Sequence, residues 1–311
     1  MDKEHNYIQA RKSQLQWYRE VRLYTQVDDS KFVLYKPAGI TLGEMRLNRG
    51  LHPDLLFINS EDKLKGLQEA QRAFNIMLEA DIKADNTEKI KETLITIVNE
   101  TLLEPRSGGL EGISDTVNIL ISDYAKENNI ITKLIEISTT DYTTVLHSIN
   151  VMTFSLAFAL HQNYSRSSTK ALGLASLLHD VGKTKMPINI LSAPRKLTEK
   201  EFEIMKKHTN IGYHILKQCK FGIDEISKVA RDHHERIDGS GYPNGNKNVS
   251  KECQIIGLMD CYEALTNDDR PYRNAISGFD TFDKILKHEA INGKFDLDLC
   301  TLFIKSLGSR T

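Results

Sequence analysis

Leu177-Leu178-His179-Asp180-Val181-Gly182-Lys183 is the stretch on which the reading of this chain turns. His179 and Asp180 are adjacent, so on a helix their side chains diverge by only about 100° and both reach one pocket at the helix end. Gly182 is expected to stop that helix, and Lys183 projects a cation nearby. A carboxylate beside an imidazole suits a borderline divalent metal, and the carboxylate can bridge two ions. Lys183 could then hold a phosphate oxygen as a point charge. Taken alone, the dipeptide is more often a buried hydrogen bond at a helix end; its meaning depends on what surrounds it.

Working outward, His233-His234-Glu235 closes a helix whose apolar stripe is Ile226, Val229 and Ala230. Directly after it, Asp238–Gly245 holds three glycines and one proline, a tight loop able to approach a ligand closely. His147 lies in a strongly apolar helix and His208 in Met205-Lys-Lys-His-Thr-Asn-Ile-Gly-Tyr. Asp260 follows the apolar run Ile255–Met259, and a buried carboxylate must be paired or bound to a metal. Glu263, at i+3, shares its side of the helix. Arg270 and Arg273 flank Pro271-Tyr272 and supply local cations. His5, His52, His161, His214 and His288 have no comparable surroundings.

The 311 residues suffice for about two domains. With 41 Lys+Arg against 42 Asp+Glu, nothing favours a nucleic-acid polymer or an anionic membrane as partner. Cys219, Cys253, Cys261 and Cys300 form no CxxC pair and read as free thiols in a reducing compartment. The first residues lack the apolar core of a signal peptide, and Val151–Leu160 is too short a run to span a bilayer. No membrane span and a cytoplasmic location are therefore expected.

From Val21 to Asn59, VRLYTQV, KFVLYK, ITLGEMRL and DLLFIN read as short strands separated by turns. Beyond Ser60 the period is helical, with breaks that include one between helices at Thr198–His208 and Ile211–Cys219. Glu104-Pro-Arg-Ser-Gly-Gly reads as a linker. The expected fold is mainly α: a small α+β N-terminal domain with connecting helices over 1–104, in a regulatory or docking role, and a helical catalytic domain over 105–311.

The order H…HD…H…HH…D, with His234-Glu-Arg-Ile-Asp-Gly-Ser-Gly-Tyr-Pro243, resembles the HD-GYP family, a branch of the HD-domain phosphohydrolases. The resemblance runs from about Asp141 to Arg273. It implies an HD-type helical bundle that hydrolyses cyclic di-GMP to pGpG or GMP. By this resemblance one metal takes His147, His179, Asp180 and Asp260, and a second takes Asp180 as a bridge with His208, His233 and His234. Lys183 would contact the scissile phosphate, and Tyr242, Arg270 and Arg273 match positions that touch substrate. Glu235 and Asp238 would orient ligands as outer acceptors. Thr143 stands where members with three metals carry Glu, so two ions are expected.

Imidazole-rich ligation suits Fe, Mn or Zn far better than Mg; the resemblance implies iron or manganese, so Fe is expected foremost, with Mn or Zn as further candidates. Two such ions about 3.5–4 Å apart can bridge a hydroxide and neutralise phosphate charge. Two departures, Glu263 for the family's Asp and one extra residue before Arg270, leave a second reading: a cyclic-dinucleotide-binding module with little or no turnover. A signalling-protein partner, docking through the Gly-Tyr-Pro loop or the N-terminal domain, is also expected.

Overall fold

A computed structural model of the chain describes residues 6–28, 31–45, 52–105, 108–124, 144–221, 223–267 and 277–308. It divides into two compact units, Met1–Ala80 and Asp81–Thr311. The boundary between them lies within α1 (Lys63–Lys83), which runs without a break through Ala80.

In the first unit, β1 (Tyr7–Gln9), β2 (Leu23–Asp28), β3 (Lys31–Lys36) and β4 (Phe57–Asn59) form an antiparallel sheet in the order β1-β4-β2-β3. Its core gathers Ala10, Tyr18, Val21, Leu23, Leu42, Leu56 and Ile58. Lys36 is fully buried, and its ammonium donates to the carbonyls of Arg19, Pro37 and Ile40, which supplies the partners a buried charge requires.

Two strand expectations are corrected here. Leu42–Glu44 is a 3-10 turn, because Thr41 and Glu44 close a capping box across it. In Asp54–Asn59 only Phe57–Asn59 pairs as strand. The strand at Tyr7–Gln9 was not anticipated.

The second unit is helical: α2 (Thr87–Leu102), α3 (Ile113–Tyr124), α4 (Thr144–His161), α5 (Arg166–Leu178), α6 (Glu199–Lys217), α7 (Asp224–Asp232), α8 (Lys251–Thr266) and α9 (Leu297–Gly308). Helix α4 is apolar nearly all round and sits at the centre, packed by α2, α5, α8 and α9. It is the one helix among the described residues long and apolar enough to cross a membrane, yet 78% of it is buried within the protein. That burial fits a core helix.

Helix α6 is continuous, where a break near Asn210 was expected, and Gly212 sits in its interior. The reason is a close crossing. The chain leaves α5 at His179 and passes into a 3-10 turn, Val181–Lys185, that lies directly on α6. A Cβ on Gly182 would stand 1.9 Å from the His208 carbonyl oxygen and 2.7 Å from the Gly212 nitrogen. Gly182 is thus required by backbone approach rather than as a helix stop. Gly257 does the same for α8, where a Cβ would meet the His233 carbonyl oxygen at 2.3 Å.

These crossings generate a test. Gly182→Ala is expected to lower the unfolding free energy by about 1–3 kcal/mol or more, the usual penalty of overpacking, read from the denaturant midpoint. A midpoint equal to that of the parent protein contradicts the close approach.

Candidate metal centre

Five helical segments deliver seven side chains to one place. His147 comes from the first turn of α4, and His179 and Asp180 from the end of α5. His208 comes from mid-α6, His233 and His234 from the end of α7, and Asp260 from α8 one turn beyond Gly257.

His147 Nε2 lies 3.2 Å from His179 Nε2, 3.4 Å from Asp180 Oδ2 and 3.1 Å from Asp260 Oδ1. His179 Nε2 is 3.4 Å from Asp180 Oδ2. The other Asp180 oxygen, Oδ1, is 3.2 Å from His208 Nε2 and 3.8 Å from His233 Nε2. His234 Nδ1 is 3.7 Å from Asp260 Oδ2. Two three-residue groups have mutual donor spacing suited to a metal ion, His147/His179/Asp180 and His208/His233/His234. Asp180 turns one oxygen toward each group. Asp260 also faces both, a broader placement than the single ion expected for it.

The hydrogen bonds on the far side of each ring set the tautomers. His179 Nδ1 faces the Ser176 carbonyl at 2.5 Å, His208 Nδ1 that of Met205 at 2.7 Å, and His233 Nδ1 that of Val229 at 3.0 Å. A carbonyl only accepts, so each Nδ1 carries the proton and each Nε2 presents a lone pair inward. His147 Nδ1 donates likewise to Glu263 Oε2 at 2.6 Å. Two lone-pair nitrogens 3.2 Å apart repel each other unless something positive lies between them. Asp180 Oδ1, His208 Nε2 and His233 Nε2 are buried and have no hydrogen-bond partner. Such orphaned acceptors are costly unless a cation satisfies them. The donor set therefore fits divalent metal, with the imidazole-rich character expected for a transition ion.

Burial pulls His233 down to about 3, assisted by the neighbouring His179, and holds His234 well below the usual imidazole range, with His233 beside it. Burial opposes ionisation of Asp180, but Lys183 and the rings of His179 and His147 hold it well below the carboxylate range. Asp260 is depressed in the same way against burial, by His147 and His234. Neutral imidazoles beside ionised carboxylates are the protonation states that ligation needs.

The cluster meets solvent along one edge. Side-chain exposure is 19% for His234, 16% for Lys183 and 11% for Asp260, against 0–1% for the other five members. Lys183 Nζ contacts Asp180 Oδ2 at that edge. Tyr242 covers His234, with ring centroids 4.5 Å apart and planes 28° from parallel. Burial, then Asp260 and Asp180, raise its phenol, which stays a neutral donor.

Glu235 and Asp238, expected to orient ligand rings, serve the loop instead. The Glu235 carboxylate accepts from the backbone N–H groups of Asn244 and Asn246 at 2.7 and 2.9 Å, and Asp238 accepts from Ser240 N at 2.8 Å. Gly241 has no room for a Cβ, which would stand 2.4 Å from the His234 carbonyl oxygen. The carboxylate that does orient a ligand is Glu263. It also accepts from Asn150 Nδ2 at 3.0 Å and Asn267 Nδ2 at 2.9 Å, and against burial these partners and His147 hold it at about 2. Its i+3 relation to Asp260 was the available signal, yet nothing in the spacing linked it to His147 across 116 positions. Arg270, Arg273 and Thr143 lie outside the described residues.

Comparison with known proteins agrees with this geometry. The HD domain family profile matches residues 126–299. The chain belongs to the HD-domain family. It is 33% identical over 197 residues to a cyclic di-GMP phosphodiesterase of Pseudomonas aeruginosa, covering 63% of this chain and 47% of that protein. It is 36% identical over 171 residues to a cyclic di-GMP phosphodiesterase of Thermotoga maritima, covering 53% and 45%. A 3'3'-cGAMP-specific phosphodiesterase of Vibrio cholerae is 33% identical over 165 residues, covering 52% and 38%. The chain thus spans half or less of the length of these relatives. A solved HDG"Y"P protein from Bdellovibrio bacteriovorus, 19% identical, shares the fold with a TM-score of 0.64 over 97% of this chain and 99% of that one.

Removing the charge that orients His147 should weaken the centre without unfolding it. Glu263→Gln is expected to lower divalent-metal affinity by about 10–100-fold, the usual effect of losing an outer carboxylate, read by chelator competition. Unchanged affinity contradicts the assigned role of Glu263.

Proposed function

We propose that this protein is a metal-dependent phosphodiesterase that hydrolyses cyclic di-GMP to pGpG or GMP. The observation that carries the reading is the placement of Asp180, buried with one oxygen toward each of two histidine groups, beside a solvent edge lined by Lys183 and Tyr242. Relatives named cyclic di-GMP phosphodiesterases in two bacteria support the substrate.

In this reading His147, His179, Asp180 and Asp260 hold one ion, and Asp180, His208, His233 and His234 hold the other. Fe is the foremost candidate, with Mn or Zn next. Divalent ions there would supply Lewis-acid polarisation of a phosphodiester and a nucleophile competent at neutral pH. The residues do the rest. The carbonyls of Ser176, Met205 and Val229, with Glu263, keep four imidazoles in one tautomer and orientation, so little reorganises during reaction. Lys183 at the rim offsets charge on the phosphate, and the Tyr242 phenol donates to one of its oxygens. Arg270 and Arg273 are assigned to the rest of the substrate by motif alone.

Retention of a carboxylate at Glu263, engaged with His147, favours turnover over a binding-only module. We further place the protein in the cytoplasm and assign the Gly-Tyr-Pro loop or the N-terminal unit to a signalling partner. The N-terminal unit's role is read as regulatory.

Asp180→Ala is expected to reduce cyclic di-GMP hydrolysis to background, followed by chromatography of the products under anaerobic, metal-replete conditions. Substantial turnover by that variant contradicts the mechanism. A preference for 3'3'-cGAMP in the parent protein would reassign the substrate while leaving the centre intact.

A further inference from the structure

The wall of the solvent edge continues beyond Tyr242 onto α6, through two residues with no role so far. Phe202 meets Tyr242 edge to face, with centroids 6.0 Å apart and planes at 80°. Lys206, one helical turn further, places Nζ 5.0 Å from the Phe202 centroid and 5.6 Å from the Tyr242 centroid. His234, Tyr242, Phe202 and Lys206 therefore form a continuous aromatic and cationic surface leading outward from the metal centre.

Phe202 is 42% exposed, although α6 has a separate buried stripe of His208, Thr209, Gly212 and Leu216 that an aromatic ring could have joined. Its position is held firmly. Thr198 and Glu201 close a capping box, Arg195 donates twice to Glu201 at 2.8 Å, and Phe202 N donates to the Thr198 carbonyl at 2.8 Å. Such pre-ordering lowers the cost of binding. Lys206 gives one proton to Glu203 Oε1 at 2.6 Å, and an ammonium has three.

We propose that Phe202 and Lys206 form a nucleobase subsite of this centre. The phenyl ring stacks one purine of the substrate, and the Lys206 ammonium donates to the purine's O6/N7 edge. Guanine presents two acceptors there, whereas adenine presents an amino donor beside N7, so the lysine selects guanine. This inference rests on the phosphodiesterase reading above and adds to it the part of the substrate that is not the phosphate.

The test compares the full, metal-loaded chain with Phe202→Leu, Phe202→Tyr and Lys206→Met, using cyclic di-GMP and cyclic di-AMP. Loss of one base–aromatic stack corresponds to about 5–150-fold. Phe202→Leu should therefore raise KM for cyclic di-GMP by that factor with kcat and metal content unchanged. Phe202→Tyr should restore the parent KM, which a purely packing role would not require. Lys206→Met should raise KM for cyclic di-GMP and shrink the preference over cyclic di-AMP. An unchanged KM in Phe202→Leu, or a loss of metal in any of the three α6 variants, overturns the subsite. If the parent chain turns over no cyclic di-GMP, the activity reading falls separately. The subsite is then judged by equilibrium binding of GMP: weakening in Phe202→Leu supports it, and equal binding by parent and variant overturns it.

Discussion

The second unit is organised around a repulsion that its own side chains do not relieve. Four imidazoles turn lone pairs inward because their other nitrogens are committed to Ser176, Met205, Val229 and Glu263. Two ionised carboxylates, Asp180 and Asp260, face the same space. Lys183 offsets one oxygen at the rim, but Asp180 Oδ1, His208 Nε2 and His233 Nε2 have no partner inside. A set of buried acceptors this dense is expensive to assemble, and divalent cations convert the cost into binding energy.

Assembly depends on backbone proximity as much as on ligand identity. The ligands come from α4, α5, α6, α7 and α8, and helices separated by ordinary side chains lie about 8–10 Å apart. Gly182 against α6 and Gly257 against the end of α7 remove that spacing where it would hold ligands apart. Each lies within three residues of a carboxylate, Asp180 or Asp260, so the close crossings and the ligating carboxylates are one local design. Gly241 extends the same logic to the loop that lays Tyr242 over His234.

Much of this was legible in the sequence, and the failures have physical reasons. His179-Asp180 and His233-His234 announced themselves by adjacency, and the helical period from Ser60 onward marked the mainly α architecture. Asp260 stood out as a carboxylate in an apolar run. The break assigned near Asn210 failed because Gly212 answers a tertiary contact with Gly182, which no local propensity reveals. Leu42–Glu44 resembled a strand by alternation, while the Thr41–Glu44 capping box carried the stronger local signal. Glu263 was visible as the i+3 neighbour of Asp260 and as a departure from a pattern; its bond to His147 joins elements far apart in the chain. Glu235 was expected to orient metal ligands but accepts from Asn244 N and Asn246 N, because sequence position does not say which way a buried carboxylate points.

The number of ions held by the seven ligands is the central quantity of the centre. Metal analysis of the full chain purified anaerobically, expressed per mole of protein, measures it. Two equivalents of a divalent transition metal are predicted. A chain that is folded yet carries no tightly bound metal, and takes up none when it is supplied, would contradict the account at its base.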